Sequence, residues 1–381
     1  MYNYIPLEQA ADILDSYRKP VNSKERLNLI KGKPLDELFP YYGATGQVGW
    51  IDSFLTDGEY ILLGEDGAPF LNPYAEKAYI IHGKTWVNNH AHILHSKTNN
   101  EFLCYYLNYF NYKKYVSGTT RLKLTQAQMR KIPIPNIPSD EQSRIVAHIE
   151  ELFSELDKAV DTLKKVKEQL AVYRQAVLVD AFRVATNSTH LKIGYVCAKI
   201  VDCPHSTPKW EKNGKLCLRT TNFKRGYLDL QSPNYVSEET FNDRNRRIIP
   251  QPGDVLYSRE GSVLGIACTI PSNVYPCLGQ RMMLLRSGKK LNNRYLMHYL
   301  NSPMVTNHVI ATKGGTGSPH INVGDIKEFQ IPIPSLEEQS NIVRQIEEQL
   351  SSCDNVEKTV DAALAQADAM RQSILKQAFE E

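Results

Sequence analysis

The sequence predicts a mixed α/β (α+β) protein made by internal duplication. Two front domains of strands and short helices are separated by two long helices, which pair as an antiparallel coiled coil about a pseudo-two-fold axis. Three observations predict this. Residues 118–182 align with 315–379 at a constant shift of 197, without a gap. Each copy carries apolar residues at alternating spacings of four and three, the period of a coiled-coil seam. The stretches upstream, 1–99 and 186–291, share no visible identity and hold short apolar runs bounded by Gly, Asp and Pro. The segments are 1–139 for the first front, 140–185 for its helix, 186–335 for the second front and 336–381 for its helix.

The repeat is specific. Gly118-Thr119 matches Gly315-Thr316, Ile134-Pro135 matches Ile331-Pro332, and Glu141-Gln142-Ser143 matches Glu338-Gln339-Ser340. Arg174-Gln175 matches Arg371-Gln372, and Ala181-Phe182 matches Ala378-Phe379. Tyr106-Leu107-Asn108 also matches Tyr299-Leu300-Asn301, at a shift of 193. Two copies at so long a period mark a duplication and not a solenoid.

The fronts come first in each half. Tyr60–Leu63, Ala78–Ile81 and Val255–Tyr257 predict strands, while Leu103–Phe110 and Tyr295–Leu300 predict helices. The prolines at 133, 135 and 138, and at 332 and 334, bar helix before each repeat helix. Ser139 with Gln142, and Ser335 with Glu338, have capping-box spacing. The first seam runs through Ile145, Ile149, Leu152, Leu156, Ala159, Leu163, Val166, Leu170, Tyr173 and Val177. The second runs through Ile342, Ile346, Cys353, Val356, Val360, Ala363, Ala367, Met370 and Ile374, with Gln349 as a weak point. Each helix is about 40 residues, or ~60 Å at 1.5 Å per residue.

Composition narrows the function. The chain has 381 residues, 42% hydrophobic and 23% charged, with formal charge +3, the profile of a globular protein. No apolar window approaches the ~20 residues of a membrane span, and the N-terminus does not resemble a signal peptide. Seven cysteines without a C-x-x-C pair argue against a zinc site or disulfide framework and for a reducing cytoplasm. The small net charge hides an asymmetry. The first front carries +2 and the second +9, while their helices carry −2 and −6. A positive front suits a polyanion, and an acidic helix suits a protein partner.

Catalytic motifs are missing. Gly43-Ala44-Thr45-Gly46 and Asn72-Pro73-Tyr74 are the nearest approaches to a methyltransferase's cofactor loop and target-base motif, and both read as turns. Gly314-Gly315-Thr316-Gly317 lacks the lysine of a phosphate-binding loop. No Glu-x-Lys nuclease triplet exists, and Asp325-Ile326-Lys327 reads as a surface turn. His90, His92 and His95 could begin a metal site, but zinc wants further ligands. Hydrogen bonding to bases or phosphates, with Asn88 and Asn89 beside them, is the stronger reading; buried structural histidines are the alternative.

Polyanion-binding candidates crowd the second front. Lys209, Arg219, Thr220, Thr221, Asn222, Lys224 and Arg225 surround Trp210 and Phe223, and Arg244, Arg246, Arg247, Arg259, Glu260, Gln280, Arg281, Ser318 and His320 follow. Arg, Lys, Asn and Gln read purine edges and Glu accepts from cytosine, while Thr and backbone amides hold phosphate. In the first front Tyr41, Tyr42, Thr45, Gln47, Arg121 and Lys123 are the analogous candidates.

Two dissimilar fronts, each ending in Ile-Pro-Ile-Pro and then Asp140-Glu141-Gln142 or Glu337-Glu338-Gln339 before a long heptad helix, resemble the specificity subunit of type I restriction–modification systems. The resemblance covers essentially the whole chain. Tyr41–Gly49, Gly64–Gly67 and Trp86–His92 look like one class of that family's target-recognition domain; Asp202–Thr207, Leu218–Phe223 and Gly279–Arg281 resemble another. It implies a non-catalytic subunit that reads an asymmetric bipartite site on double-stranded DNA and holds two methyltransferase subunits, optionally with two restriction/translocase subunits. The cofactor S-adenosylmethionine would reside on the methyltransferases and none on this chain. A self-contained DNA-modifying enzyme and a coiled-coil scaffold protein are the competing readings.

Overall fold

A computed structural model describes residues 3–185, 187–312 and 319–380. Ser318 lies outside the described residues. The chain divides into two compact units, residues 1–164 with 361–381, and residues 165–360. The division falls inside both long helices.

The chain runs β1 (Tyr4–Pro6), α1 (Leu7–Ala10), β2 (Ala11–Ile13), α2 (Ser23–Ile30), β3 (Phe39–Gly43), β4 (Gly46–Ile51), β5 (Thr56–Gly64), β6 (Ala78–Val87), β7 (Ala91–Ser96), α3 (Asn100–Tyr109), α4 (Gln126–Met129), β8 (Pro133–Pro135) and α5 (Ser139–Arg183). It continues with β9 (His190–Lys192), α6 (Ile193–Val196), β10 (Cys197–Asp202), β11 (Lys215–Leu218), β12 (Phe223–Lys224), β13 (Tyr227–Leu228), β14 (Tyr235–Val236), α7 (Glu238–Arg244), β15 (Val255–Ser258), β16 (Ala267–Thr269), β17 (Cys277–Leu278) and β18 (Met282–Ser287). Then come α8 (Asn293–Asn301), α9 (Pro303–Thr312), α10 (Val323–Glu328), β19 (Gln330–Pro332) and α11 (Leu336–Glu380). Asp325 and Lys327 therefore sit on a short helix, not a turn, because Ile326 between them is buried. Gly43 to Gly46 is the turn of the β3–β4 hairpin.

The two fronts share one framework that their sequences conceal. The first unit's sheet has the order β2-β7-β5-β6-β3-β4, with β3 parallel to β6 and the other pairs antiparallel. The second unit's main sheet has the antiparallel order β10-β18-β15-β16. In both, the first and fourth strands of the set pair, then the second and third follow. Matching ribbons, β1 with β8 and β9 with β19, tie each front's beginning to its Ile-Pro exit. The fronts differ in what is inserted after the first strand: the β3–β4 hairpin in one unit, and β11 to β14 in the other. Sheets of this kind require only apolar residues at buried positions, so unlike sequences can satisfy one topology.

Both sheets are covered on two faces, which explains the unbroken apolar runs. Ile61 and Leu63 face the cluster of Phe102, Leu103 and Leu107 on α3, while Leu62 joins Ile81, Val87 and Ile93 on the other side. In the second unit Val255 and Tyr257 face Tyr295, Leu296 and Leu300 of α8, and Leu256 packs with Phe223 and Leu284.

Both long helices have 45 residues and pair antiparallel within each unit. In the first unit, Val146 and Ile149 near the start of α5 share a core with Leu375 and Phe379 near the end of α11. In the second, Val177 and Phe182 near the end of α5 share one with Ile342 and Ile346 near the start of α11. The repeat-equivalent arginines bridge the pair: Arg371 to Asp157, and Arg174 to Asp354 at 2.7 Å and Glu357 at 2.8 Å. The predicted seam needs one correction. Ile346, Cys353, Val360 and Ala367 form a buried column, whereas Val356 and Met370, and Tyr173 on α5, are 44%, 46% and 50% exposed. Two helices cover only a narrow stripe, and one residue per heptad of α11 takes it.

A second correction concerns the caps. Ser335 and Glu338 form the expected reciprocal box, the Ser335 N–H donating to Glu338 Oε2 at 2.8 Å and the Glu338 N–H to Ser335 Oγ at 3.2 Å. Ser139 does not pair this way with Gln142. The buried Gln142 amide instead donates to the Ile137 carbonyl at 2.8 Å and accepts from Thr98 Oγ1 at 2.9 Å. Its equivalent Gln339 donates to the carbonyls of Lys290 and Pro334 and accepts from the Asn292 N–H. Among the described residues no helix is long and apolar enough to cross a membrane.

Phe182 and Phe379 are one position of the duplication. Phe182 packs edge-on to Tyr295 and Tyr299, and Phe379 packs on Phe102, Tyr106 and Tyr109. Phe182→Ala and Phe379→Ala should each destabilise one unit, by about 3–5 kcal/mol. Hydrogen exchange should rise in β15, β18 and α8 for the first variant, and in β5, β7 and α3 for the second. Equal loosening of both units by either change would refute this assignment.

Candidate nucleic-acid interface

The second strand of each set runs out into a short turn, Gly64-Glu65-Asp66-Gly67 or Ser258-Arg259-Glu260-Gly261. Each turn is clamped to the returning repeat segment by two backbone bonds. Gly67 N–H donates to the Leu122 carbonyl at 2.9 Å, and Leu124 N–H to Glu65 at 2.7 Å. Likewise Gly261 N–H donates to Pro319, and Ile321 N–H to Arg259, both at 2.9 Å. This sets Asp66 opposite Lys123 and Glu260 opposite the repeat-equivalent His320. Gly67 and Gly261 have φ of +79° and +89°, a left-handed turn that glycine takes without strain.

Beneath the first turn lies a polar hub. His92 is fully buried on β7; its ring nitrogens face Asp15 Oδ2 at 2.8 Å and the Leu124 carbonyl at 3.0 Å. Arg18 pairs with Glu65 and with Asp15 at 3.1 Å, and Lys123 reaches Glu65 at 3.2 Å. Burial alone would raise the Asp15 carboxyl. The His92 hydrogen bond and charge, the Ile93 N–H and the Arg18 charge outweigh it and hold Asp15 below its ordinary range. Glu65 is held down in the same way, burial being outweighed by Arg18, His92 and Lys123. Above the hub, Asp66 takes Arg121 at 2.6 Å and His90 at 3.6 Å.

The second unit builds its hub with reversed charge. Here the first strand ends in the acid: Asp202 accepts from Arg259 Nε at 2.8 Å and Nη2 at 3.0 Å. His205 Nε2 lies 3.1 Å from Asp202. The loop after β10 is held by Arg244, which donates to the Ser206, Leu278 and Gly279 carbonyls, and by Gln280, which donates to the His205 carbonyl and accepts from Thr207. Arg281 approaches Glu260 to 3.7 Å.

Several of the candidate residues are buried as supports: Tyr41, Asn88, His92, Asn222, Arg244 and Arg259 are each at most 8% exposed. Tyr41 donates its hydroxyl to the Val21 carbonyl, Asn88 accepts from the His90 N–H, and Asn222 accepts from the Arg219 N–H. Tyr42 is half-buried against Tyr79. Presented at the surface are Thr45, Gln47, Asn89, His90, Arg121 and Lys123 in the first unit. In the second, Lys209, Arg219, Thr221, Lys224, Arg225, Arg246, Arg247 and Arg281 are exposed, with Thr220, Glu260, Gln280 and His320 partly so. Arg219 lies over the Trp210 ring at 5.4 Å, and Arg225 donates to the Asn301 carbonyl. Asp15 and Arg18 fall in no motif of the sequence, whereas Glu65 and Asp66 lie in Gly64–Gly67, and Asp202, His205 and Thr207 in Asp202–Thr207, stretches that carry the family resemblance. Asp15 with Arg18, and Asp202 with His205, pair at i, i+3; Arg18 with Glu65 and Asp202 with Arg259 meet only through strand ends far apart in sequence. The three histidines do not converge: His92 points into the hub, and His95 is exposed against Tyr60.

The sequence matches, twice, the family described as the type I restriction modification DNA specificity domain, over residues 9–171 and 199–366. A Haemophilus influenzae protein with the provisional name type I restriction enzyme specificity subunit S.HindORF215P is 27% identical over 350 residues, spanning 89% of this chain and 85% of that one. The Escherichia coli EcoKI specificity subunit is 26% identical over 284 residues, spanning 69% of this chain and 60% of that one. In fold, the chain is similar to one in a solved structure concerned with assembly and conformational transition of the type I R-M system. The TM-score is 0.70 at 17% identity, covering 99% of this chain and 97% of the other.

The depressed Asp15 carboxyl predicts an acid limb to stability. A folded-state pKa below the unfolded value stabilises above the unfolded pKa, near 4, and that stabilisation is lost as pH falls through the folded value. Denaturant unfolding of Asp15→Asn should start lower at neutral pH and lose less than the parent between about pH 5 and 3. Parallel pH curves for the two would count against the hub.

Proposed function

The chain belongs to the type I restriction modification DNA specificity family, and from that membership we propose that each front reads one half of an asymmetric, bipartite site on double-stranded DNA. The observation that carries this reading is the shared framework with unlike surfaces. The same clamped turn presents Asp66, Arg121 and Lys123 in one unit, but Glu260, Arg281 and His320 in the other. Short loops on a rigid sheet are the usual place for recognition groups. Different groups on one scaffold would read different half-sites, where a symmetric homodimer would read a palindrome. Exposed Lys209, Lys224, Arg246 and Arg247 would hold phosphates, and the loop groups would contact base edges.

The helices take the other half of the role. They are acidic, and Val172, Tyr173, Val356 and Met370 leave apolar side chains on their surface. That combination suits protein partners: two methyltransferase subunits, which would carry S-adenosylmethionine and the chemistry, with restriction/translocase subunits as optional additions. The chain itself would be a non-catalytic, cytoplasmic reader whose helices set the spacer between half-sites.

Exchange of residues 190–318 for the corresponding front of a relative, within the assembled methyltransferase, tests this. Methylome sequencing should show one half-site changed, with the other half-site and the spacer retained. A change in both half-sites together would overturn independent reading. The charge difference between fronts gives a second expectation. Arg246→Ala with Arg247→Ala should make the log–log salt dependence of binding shallower, by up to about 0.9 for each phosphate no longer neutralised. An unchanged slope would remove both residues from the phosphate path.

A further inference from the structure

Each unit carries one carboxylate, one glycine and one arginine at the same place in its framework. In the first, Asp66 meets Arg121 Nε at 2.6 Å, and a Cβ on Gly67 would stand 3.2 Å from the same nitrogen. In the second, Glu260 meets Arg281 Nε at 3.7 Å, and a Cβ on Gly261 would stand 3.4 Å from an Arg281 terminal nitrogen. The carboxylates and glycines are equivalent, since the same two backbone bonds clamp their turns. The arginines are not. Arg121 arrives on the returning segment, where the repeat has Ser318 in its place. Arg281 arrives from the loop into β18, in a left-handed conformation of φ +65° that residues other than glycine rarely adopt. Two dissimilar fronts thus deliver an arginine to the same carboxylate by different routes. A structural ion pair is a weak explanation, because the arginine side chains are 59% and 53% exposed and such pairs add little stability.

We propose that Asp66 with Arg121, and Glu260 with Arg281, are the specificity-determining heads of the two fronts, each matched to one G·C base pair from the major groove. This rests on the reading that the fronts bind DNA, and names the base pair they select. Across the major groove a G·C pair presents two acceptors, guanine N7 and O6, and then one donor, the cytosine N4 amino group. The terminal nitrogens of the arginine donate to the first two, and the carboxylate accepts from the third. An A·T pair presents acceptor, donor and acceptor. Its adenine amino group would face the arginine, and thymine O4 would face the carboxylate. The closest approach of each pair is through Nε. The arginine also offsets the repulsion between the carboxylate and the phosphates.

The test uses the full chain assembled with its methyltransferase subunits, Glu260→Gln and Arg281→Lys in the second front and Asp66→Asn in the first. Methylome sequencing gives the motif, and binding to duplexes varied at single positions gives discrimination. Each parent half-site should contain a G·C pair whose replacement by A·T costs about ten-fold or more in affinity, as a good bidentate contact does. Glu260→Gln and Arg281→Lys should both erase that discrimination at one position of one half-site, with melting temperature and the other half-site unchanged. Asp66→Asn should do the same in the opposite half-site. Uniform weakening on all sequences, unchanged discrimination, or a half-site lacking a G·C pair would overturn the proposal. A parent complex with no bipartite motif would instead overturn the underlying reading, and this proposal with it.

Discussion

The burial of Phe182 and Phe379 is the interaction on which the rest of the molecule depends. Each closes the core of a front whose own helix begins elsewhere in that same core. In the first unit Ile149 from early α5 and Phe379 from late α11 lie in one apolar cluster with α3. In the second, Ile346 and Phe182 do the same with α8. A front therefore cannot bury its post-sheet helix without engaging both long helices. That requirement ties recognition surfaces to the element that would set their spacing, and makes the antiparallel direction a condition of folding.

The polar hubs show how duplication can persist while identity disappears. In the first unit the segment after the first strand supplies Arg18 and the second strand's end supplies Glu65. In the second the end of the first strand supplies Asp202 and the end of the second strand supplies Arg259. Removing one member of such a largely buried pair leaves an uncompensated charge, whereas reversing both preserves the interaction. The framework constrains the presence of a pair and leaves its polarity open. The buried glutamines behave differently. Gln142 and Gln339 each satisfy carbonyls at a helix start and also bond the segment before the post-sheet helix. Their geometry admits few substitutes, and they remain identical in both copies.

Over this rigid base, the groups offered to a nucleic acid sit on short turns and loops. The first unit presents few charges around its clamped turn, and the second presents many, on the segments inserted between β10 and β15 as well as on the turn. The positive charge of the second front is shared between that insertion and the framework that follows it, while the position of the turn comes from the common sheet.

Much was legible from the residues alone. The shift of 197 identified the duplication. The heptads and prolines bounded the two helices to within a residue or two, because helix periodicity and proline exclusion are local properties. The apolar runs at Tyr60–Leu63 and Val255–Tyr257 marked strands for the same reason. The basic and polar character of the candidate interface was visible, but its geometry was not. Composition could not distinguish Arg244 and Arg259, which are buried as supports, from Arg246 and Arg281, which are exposed. Nor could heptad spacing tell that Val356 and Met370 would face outward while Cys353 and Ala367 were covered. Those outcomes, the common strand order, and the pairing of Asp66 with Arg121 and of Glu260 with Arg281 depend on partners tens of residues away or more. Sequence determines what a residue can offer locally; which partner it meets, and whether water reaches it, is decided by the packing of the sheet, helices and returning segment around it.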